Sequence, residues 1–232
     1  MPDAKQFESR VKKSQFFYLL AALILLLAVT PFFENRYLGR ILHLVFLTAV
    51  FIAAVVANRH RRRVFIAGIV IAVIAIPLNW SGLLFREDAV SLARYAVAII
   101  FLGMTAAMVL ISVLNDHSAS VGAIIGAMCV YLLLGLTWAL AYSAIEHMQP
   151  ESFDVLHRRT DDISQDGHER TAFSQFIYFS FVTMSTLGYG DITPRTALAE
   201  TATWMQSVTG VFYLAVLVSR LVSALPQPSR DN

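Results

Sequence analysis

A short glycine-containing motif, residues 186–191 with the sequence TLGYGD, has the residue types needed to bind a dehydrated monovalent cation. Removing water from an ion is costly, so a site must offer replacement oxygen atoms, and backbone carbonyls can supply them when successive ones point toward one axis. That arrangement needs alternating right- and left-handed backbone, which Gly188 and Gly190 adopt at little steric cost because they lack a Cβ. The predicted ion-binding residues are Thr186, Leu187, Gly188, Tyr189 and Gly190.

The side chains of the same motif have predicted supporting roles. Thr186 adds a hydroxyl ligand at the inner end of the site, and Tyr189 points away from the axis and braces the loop. Asp191 lies at the outer mouth, where its negative charge raises the local cation concentration. The motif therefore predicts a short cation pathway with an acidic entrance.

One such loop cannot surround an ion, and the motif occurs once in the chain. A ring with fourfold cyclic symmetry can surround it, so the motif predicts a homotetramer. The apolar run from Phe173 to Met184 precedes the motif and is too short to span a membrane, which favours a re-entrant helix. The negative end of its dipole is then directed at the membrane centre, where a desolvated cation is least stable.

Residues 178–191, with the sequence YFSFVTMSTLGYGD, resemble the pore helix and selectivity filter of the potassium channel superfamily. They are most similar to its small bacterial ion-channel branch, and the match continues through the helix after Pro194. The resemblance implies K+ as the permeant ion. Leu187 stands where the family often has valine, and Phe179 stands where many members have a tryptophan that hydrogen-bonds to the filter. Tyr178 can still supply the neighbouring hydrogen bond, so Tyr178 and Phe179 are the predicted filter supports.

The composition is that of a polytopic membrane protein. Of 232 residues, 57% are hydrophobic and only 15% are charged, and the net charge is +2, which is unlike a soluble domain. The lone cysteine, Cys129, lies in an apolar segment and can form no intrachain disulfide. The sequence contains no recognisable metal-ligand cluster or catalytic constellation, so we expect neither an enzyme nor a cofactor.

The hydrophobic pattern predicts an all-α membrane protein with six transmembrane helices, with a re-entrant pore helix and filter loop between the fifth and sixth. The predicted spans are residues 16–29, 41–57, 90–114, 121–145 and 197–225, together with a third span that begins with residues 64–76. Residues 1–117 form a four-helix membrane domain in the position of a voltage sensor. Residues 118–232 form the pore domain, with outer helix, turret, pore helix, filter and inner helix. Pro77 is expected to kink the third span, and small residues at Gly122, Gly126 and Gly135 to allow close packing of the fifth.

Charged segments orient these spans. The N-terminus is basic, and residues 58–63 (NRHRRR) follow the second span. The positive-inside rule then places both termini in the cytoplasm of a multi-pass protein of the cell (inner) membrane. An anionic-lipid site at residues 58–63 is the alternative interpretation. Residues 146–171 are polar and acidic, as expected of a solvated turret that weakly concentrates cations, and their histidines leave pH sensing open.

Two features bear on gating. Steep voltage dependence needs three to four charges per subunit that cross the field, whereas every third position after Arg94 in the fourth span is apolar. We therefore predict a channel that is not steeply voltage-gated. Gly210 matches the inner-helix hinge glycine of the family. Close packing against a neighbouring helix is an alternative role of equal weight for this glycine. The predicted cavity and inner gate, which close by apolar dewetting, are lined by Val211, Leu214, Val218 and Val222.

The residues are also compatible with three other functions. They are a nonselective cation channel of the same fold, a potassium transporter subunit and a nonconducting membrane partner. A single-chain transporter would need four pore motifs, and this chain has one. The expected partners are membrane lipid and three further copies of the chain, with no nucleic acid and no small-molecule substrate.

Overall fold

A computed structural model of the chain describes residues 16–29, 37–57, 62–81, 88–115, 121–155 and 172–223. It contains seven helices and two short strands within those ranges. The helices are α1 (Phe16–Val29), α2 (Tyr37–Ala57), α3 (Arg62–Ser81), α4 (Asp88–Leu114), α5 (Val121–Met148), α6 (Ala172–Met184) and α7 (Ala197–Ser223), and the strands are β1 (Phe153–Val155) and β2 (Ile192–Pro194). The basic side chains of residues 58–63 and most of the predicted turret, residues 156–171, lie outside the described part of the chain.

Three of the predicted spans are long and apolar enough to cross a membrane. These are Val90–Leu114, Val121–Met148 and Ala197–Arg220. The apolar portions of α1, α2 and α3 are shorter, at Phe16–Val29, Leu44–Val56 and Gly68–Ser81. The helical membrane architecture is therefore confirmed, while the count of six spans stays a prediction. Helix α3 continues past Pro77 to Ser81, so the proline does not end the helix.

Helix α5 lies at the centre of the fold. Its buried residues face several directions and contact α4, α6 and α7. Two glycines make this possible, since an added Cβ at Gly126 would lie 2.7 Å from Val113, and one at Gly135 would lie 2.5 Å from the ring of Phe181. The close packing predicted for these two glycines is thus confirmed. Cys129 is buried, and its thiol donates to the carbonyl of Phe16 over 3.4 Å, which joins α1 to α5.

The segment after α5 is more ordered than the sequence suggested. We predicted a polar loop from residue 146, but α5 extends to Met148 and strand β1 follows it. Strand β1 pairs antiparallel with β2, which comes directly after the filter motif. The Glu146 carboxylate accepts hydrogen bonds from the backbone N–H groups of Glu151 and Phe153, both over 3.2 Å. The alternation of apolar and polar residues in β1 buries Phe153 and Val155, so this part of the loop becomes a strand.

Candidate functional site

Helix α6 ends in a hydrogen-bonded cap that leads directly into the filter motif. The N–H of Leu187 donates to the carbonyl of Val182 over 3.0 Å, and the N–H of Thr186 donates to that of Thr183 over 3.1 Å. This pair of bonds is a Schellman motif, in which the residue at the position of Thr186 adopts the left-handed conformation and is usually glycine. The end of the pore helix therefore sets the backbone direction with which the filter begins.

The backbone of the motif alternates in handedness. Thr186, Gly188 and Gly190 have φ angles of 62°, 54° and 78°, whereas neither Leu187 nor Tyr189 has a positive φ. The positive φ angles expected at the two glycines are confirmed. The third, at Thr186, was not expected, because a β-branched residue rarely adopts this conformation. Such alternation turns successive carbonyls toward one side, as a carbonyl-lined ion site requires.

The conformation of Thr186 predicts a trade-off between stability and function. A left-handed conformation costs a non-glycine residue about 1–2 kcal/mol, and strain of this kind persists where surrounding structure enforces it. We expect Thr186→Gly to raise the free energy of unfolding by up to that amount per chain, as measured by thermal denaturation. It should also lower the K+ flux that the resemblance implies, because it removes the predicted hydroxyl ligand. A variant with unchanged thermal stability would show that Thr186 is not strained.

Both carboxylate oxygens of Asp191 are held at the outer end of the motif. The hydroxyl of Tyr178 donates to Oδ2 over 2.7 Å, and the N–H of Ile192 donates to Oδ1 over 3.1 Å. Tyr178 lies on α6, so this hydrogen bond ties the outer end of the motif back to the pore helix. The same bond raises the pKa of Tyr178 to about 12, because it stabilises the protonated hydroxyl. Tyr178 therefore makes the hydrogen bond predicted for it.

Phe179 packs in an aromatic cluster with Tyr142, Phe153 and Phe176. Its ring centroid lies 5.1 Å from that of Tyr142 and 5.5 Å from that of Phe153. The cluster joins α5, β1 and α6, and its tilted and edge-on geometries are those that aromatic pairs favour. Phe179 has no polar atom with which to replace a tryptophan hydrogen bond. Its contribution is instead to the packing of the pore helix against α5.

A buried polar network connects the three helices around the motif. Gln206 of α7 is fully buried, and its Nε2 donates to the hydroxyl and the carbonyl of Ser180 over 2.6 and 3.0 Å. Its Oε1 accepts from the Tyr142 hydroxyl, and the Ser180 hydroxyl donates to the carbonyl of Gly135 over 2.6 Å. Gln206 was not predicted from the sequence. The signal was a single amide within an apolar span, since intramembrane polar residues are expensive unless paired.

Gly210 packs directly on the end of the pore helix. An added Cβ would lie 2.5 Å from the carbonyl oxygen of Met184 and 2.6 Å from its Cγ. Helix α7 runs without interruption from Ala197 to Ser223. The close-packing alternative for Gly210 is thus observed, while its role as a hinge stays a prediction.

The residues predicted to line the cavity occupy one side of α7. Val211, Leu214 and Val218 are all exposed in the single chain. Val222 falls within the same helix, but its side chain lies outside the described residues. Leu187 and Tyr189 of the filter are also exposed, by 59% and 68%. Tyr189 is therefore too exposed to brace the loop within one chain, and its predicted bracing role depends on contacts with another chain.

Comparison with known proteins agrees with this geometry. Residues 124–227 match a family model described as "Ion channel". A two-pore potassium channel 4 from Arabidopsis thaliana is 46% identical over 57 residues, which are 25% of this chain and 20% of the plant protein. The chain thus matches only about a fifth of that relative's length. No solved structure matches the chain significantly. These similarities indicate an ion channel and not an enzyme.

Proposed function

We propose that the chain forms a potassium-selective channel that conducts K+ passively across a membrane. The observation that carries this proposal is the alternating backbone of residues 186–190, which follows directly from the capped end of α6. The family match supports an ion channel, and the similarity to a plant two-pore potassium channel favours potassium as the ion. Selectivity for K+ then comes from backbone carbonyls that replace the hydration shell.

The proposed channel is a homotetramer. The chain has one filter motif, and the exposed Leu187 and Tyr189 leave the filter uncovered by the rest of the same chain. Only 22% of the apolar window of α7 is buried, against 56% for α5. An inner helix with this much uncovered apolar surface is suited to contacts with other copies of the chain. A closed cyclic arrangement of four copies would place four filters around one axis.

The inner gate is proposed to be an apolar constriction on α7. Val211, Leu214 and Val218 face the same side of the helix because their spacings of three and four residues return to one face. In a tetramer with a central axis, this exposed face would line the cavity, and its apolar side chains would close the pore by dewetting. Gly210 adjoins this face and is the proposed pivot.

The proposed layout has six spans, with both termini in the cytoplasm of the cell (inner) membrane, as in the small bacterial branch of the superfamily. The contact between Tyr95 and His147, with ring centroids 6.0 Å apart, puts the start of α4 beside the end of α5. This agrees with the proposal that both of these ends lie on the outer side, next to the filter. The short α1, α2 and α3 would then surround the pore domain as a lipid-facing scaffold.

Flux measurements on purified full-length protein in liposomes test the proposed activity. We expect potassium flux down a K+ gradient and at least about tenfold less sodium flux under a matched Na+ gradient, with protein-free liposomes as the control. Equal fluxes of the two ions would favour the nonselective cation channel. A folded tetramer that passes neither ion would favour the nonconducting membrane partner, and either result contradicts the proposal.

We also expect weak voltage dependence. Arg94 lies near the start of α4 and donates to the Ser91 hydroxyl over 2.8 Å, while Val97, Ile100 and Gly103 follow at every third position. Each charge that crosses the field contributes about 2.3 kcal/mol per 100 mV, and Arg94 can remain at the interface with its stem in the apolar layer. Single-channel recording should therefore show less than about a tenfold change of open probability over 100 mV. An e-fold change within a few millivolts would contradict this.

A further inference from the structure

An apolar cavity of about 350 Å³ lies between α4, α5 and α7, near the C-terminal ends of α4 and α7. Its Arg220 edge is distant from the filter, because Arg220 is fourteen residues, about 21 Å, along α7 from Gln206, whereas its other end reaches Thr209. Its apolar lining includes Leu110, Val113, Leu134, Phe212, Val216 and Leu217.

Arg220 adds a positive charge to this apolar surface. One terminal nitrogen of its guanidinium donates to the carbonyl of Leu114, the last residue of α4. Its Nε is buried and has no hydrogen-bond partner. A guanidinium carries five N–H donors, and a buried donor without an acceptor is unfavourable. The side chain therefore retains donor capacity for an additional acceptor.

A second, more open cavity of about 420 Å³ adjoins the first. It is bordered by Ala215, Val216, Ser219 and Arg220, so Val216 and Arg220 belong to both cavities. The guanidinium thus lies between two compartments. The first compartment is apolar, whereas the second borders Ser219 as well as Ala215 and Val216, and a molecule with an anionic group between two chains can occupy both.

The first cavity lies on the other side of α7 from the predicted conduction pathway. Successive helix residues are separated by about 100°, so Arg220 is rotated by about 200° from Val218, which faces the predicted pore. The cavity behind α7 therefore faces α4 and α5. A molecule bound there would contact the proposed inner helix without entering the ion path.

We propose that this site binds an anionic phospholipid, with its phosphate on Arg220 and its acyl chains in the two compartments. A guanidinium recognises phosphate through paired hydrogen bonds, and a basic side chain at a helix end is placed at headgroup depth. The anionic phospholipid is favoured over a zwitterionic one because Arg220 is not accompanied by a described acidic group in either cavity. The proposal concerns binding and is independent of ion selectivity.

The test is thermal denaturation of the purified full-length protein with dihexanoyl phosphatidylglycerol, dihexanoyl phosphatidylcholine or inorganic phosphate. We expect both lipids to raise Tm. Half of the maximal rise should be reached at a phosphatidylglycerol concentration about tenfold lower than the phosphatidylcholine concentration that is needed. Arg220→Gln should abolish this preference, while Arg220→Lys should keep part of it. Arg195→Gln is the matched control, because it removes one exposed positive charge at the other end of α7 and should leave the preference unchanged.

Two outcomes of this titration would overturn the proposal. One is an Arg220→Gln variant with the same preference for phosphatidylglycerol as the unsubstituted protein. The other is equal protection by inorganic phosphate, which would mean that the two cavities contribute nothing to binding. The Tm measurement does not depend on ion flux. Failure of the lipid proposal can therefore be told apart from failure of the proposed channel activity, which is tested by potassium flux.

A second measurement keeps Arg220 and so does not depend on the folding of its variants. Phe212 lines the first cavity and is 66% exposed, so Phe212→Trp places a fluorophore there with little change in packing. The fluorescence quenching of this variant by lipids with brominated chains is then compared with that of the unsubstituted protein, which contains three tryptophans. We expect the added fluorescence to be quenched more strongly by brominated phosphatidylglycerol than by brominated phosphatidylcholine, and equal quenching would refute the site.

Discussion

Gly190→Ala is expected to lower potassium flux by at least about a hundredfold while the protein still assembles. Gly190 has a φ of 78°, and an added Cβ would have no neighbour within 4 Å. The penalty is therefore conformational and not a clash. It amounts to about 1–2 kcal/mol for a non-glycine residue, and in the proposed ring it would apply in all four filters. A total of several kcal/mol exceeds the 2.7 kcal/mol that corresponds to a hundredfold change.

The measurement is liposome flux with K+ and Na+ gradients, together with size-exclusion chromatography of the variant. Gly103→Ala is a suitable control. Its added Cβ would meet only the Cγ2 of Thr137 at 3.9 Å, which is an ordinary contact, and alanine suits a helix interior better than glycine. Normal selective flux through Gly190→Ala would show that the filter does not need the left-handed conformation at this position.

Gly210→Ala should weaken the packing of the inner helix against the pore helix. Its Cβ would lie 2.5 Å from the carbonyl oxygen of Met184, and a backbone atom cannot move aside as the end of a side chain can. Overpacking of this kind costs about 1–3 kcal/mol, which outweighs the gain of up to about 1 kcal/mol in helix propensity. We expect a net loss of stability in each chain, seen as a lower Tm, and reduced selectivity because α6 carries the filter.

This result separates the two roles considered for Gly210. If the glycine served only as a hinge, Gly210→Ala would keep or raise Tm and change open probability alone. Gly126→Ala is an informative comparison, because its closest contact, at 2.7 Å, is the Cγ2 of Val113. A side-chain contact can relax, so we expect a smaller loss of Tm there than at Gly210. An equal loss at the two sites would contradict the importance of the Met184 carbonyl.

The positions of the helices followed from local properties of the sequence. Helix α1 spans Phe16–Val29 as predicted, and α6 ends at Met184 as predicted. Runs of apolar residues set these lengths, since a helix in an apolar environment satisfies its own backbone hydrogen bonds. The left-handed conformation of the filter glycines was also predictable from a local property, because the freedom of glycine in φ belongs to the residue itself.

The contacts that hold the filter were decided by the tertiary structure. The partners of Gln206 were not predictable, because Tyr142 is 64 positions away in the sequence. The pairing of β1 with β2 joins residues on either side of the pore helix, so composition suggested only a polar loop before it. The left-handed conformation of Thr186 contradicts the preference of a β-branched residue, and the cap at the end of α6 imposes it.

The sequence alone determined where this chain forms helices and which residues can form a carbonyl-lined site. Only the tertiary structure decided that Tyr178 holds Asp191, that Gly210 packs on Met184 and that Gln206 joins α7 to α5 and α6. The difference has a physical cause. Hydrophobic length and backbone freedom act within a few residues of the chain, whereas a hydrogen bond or a steric contact depends on which distant segments come within about 3 Å of each other.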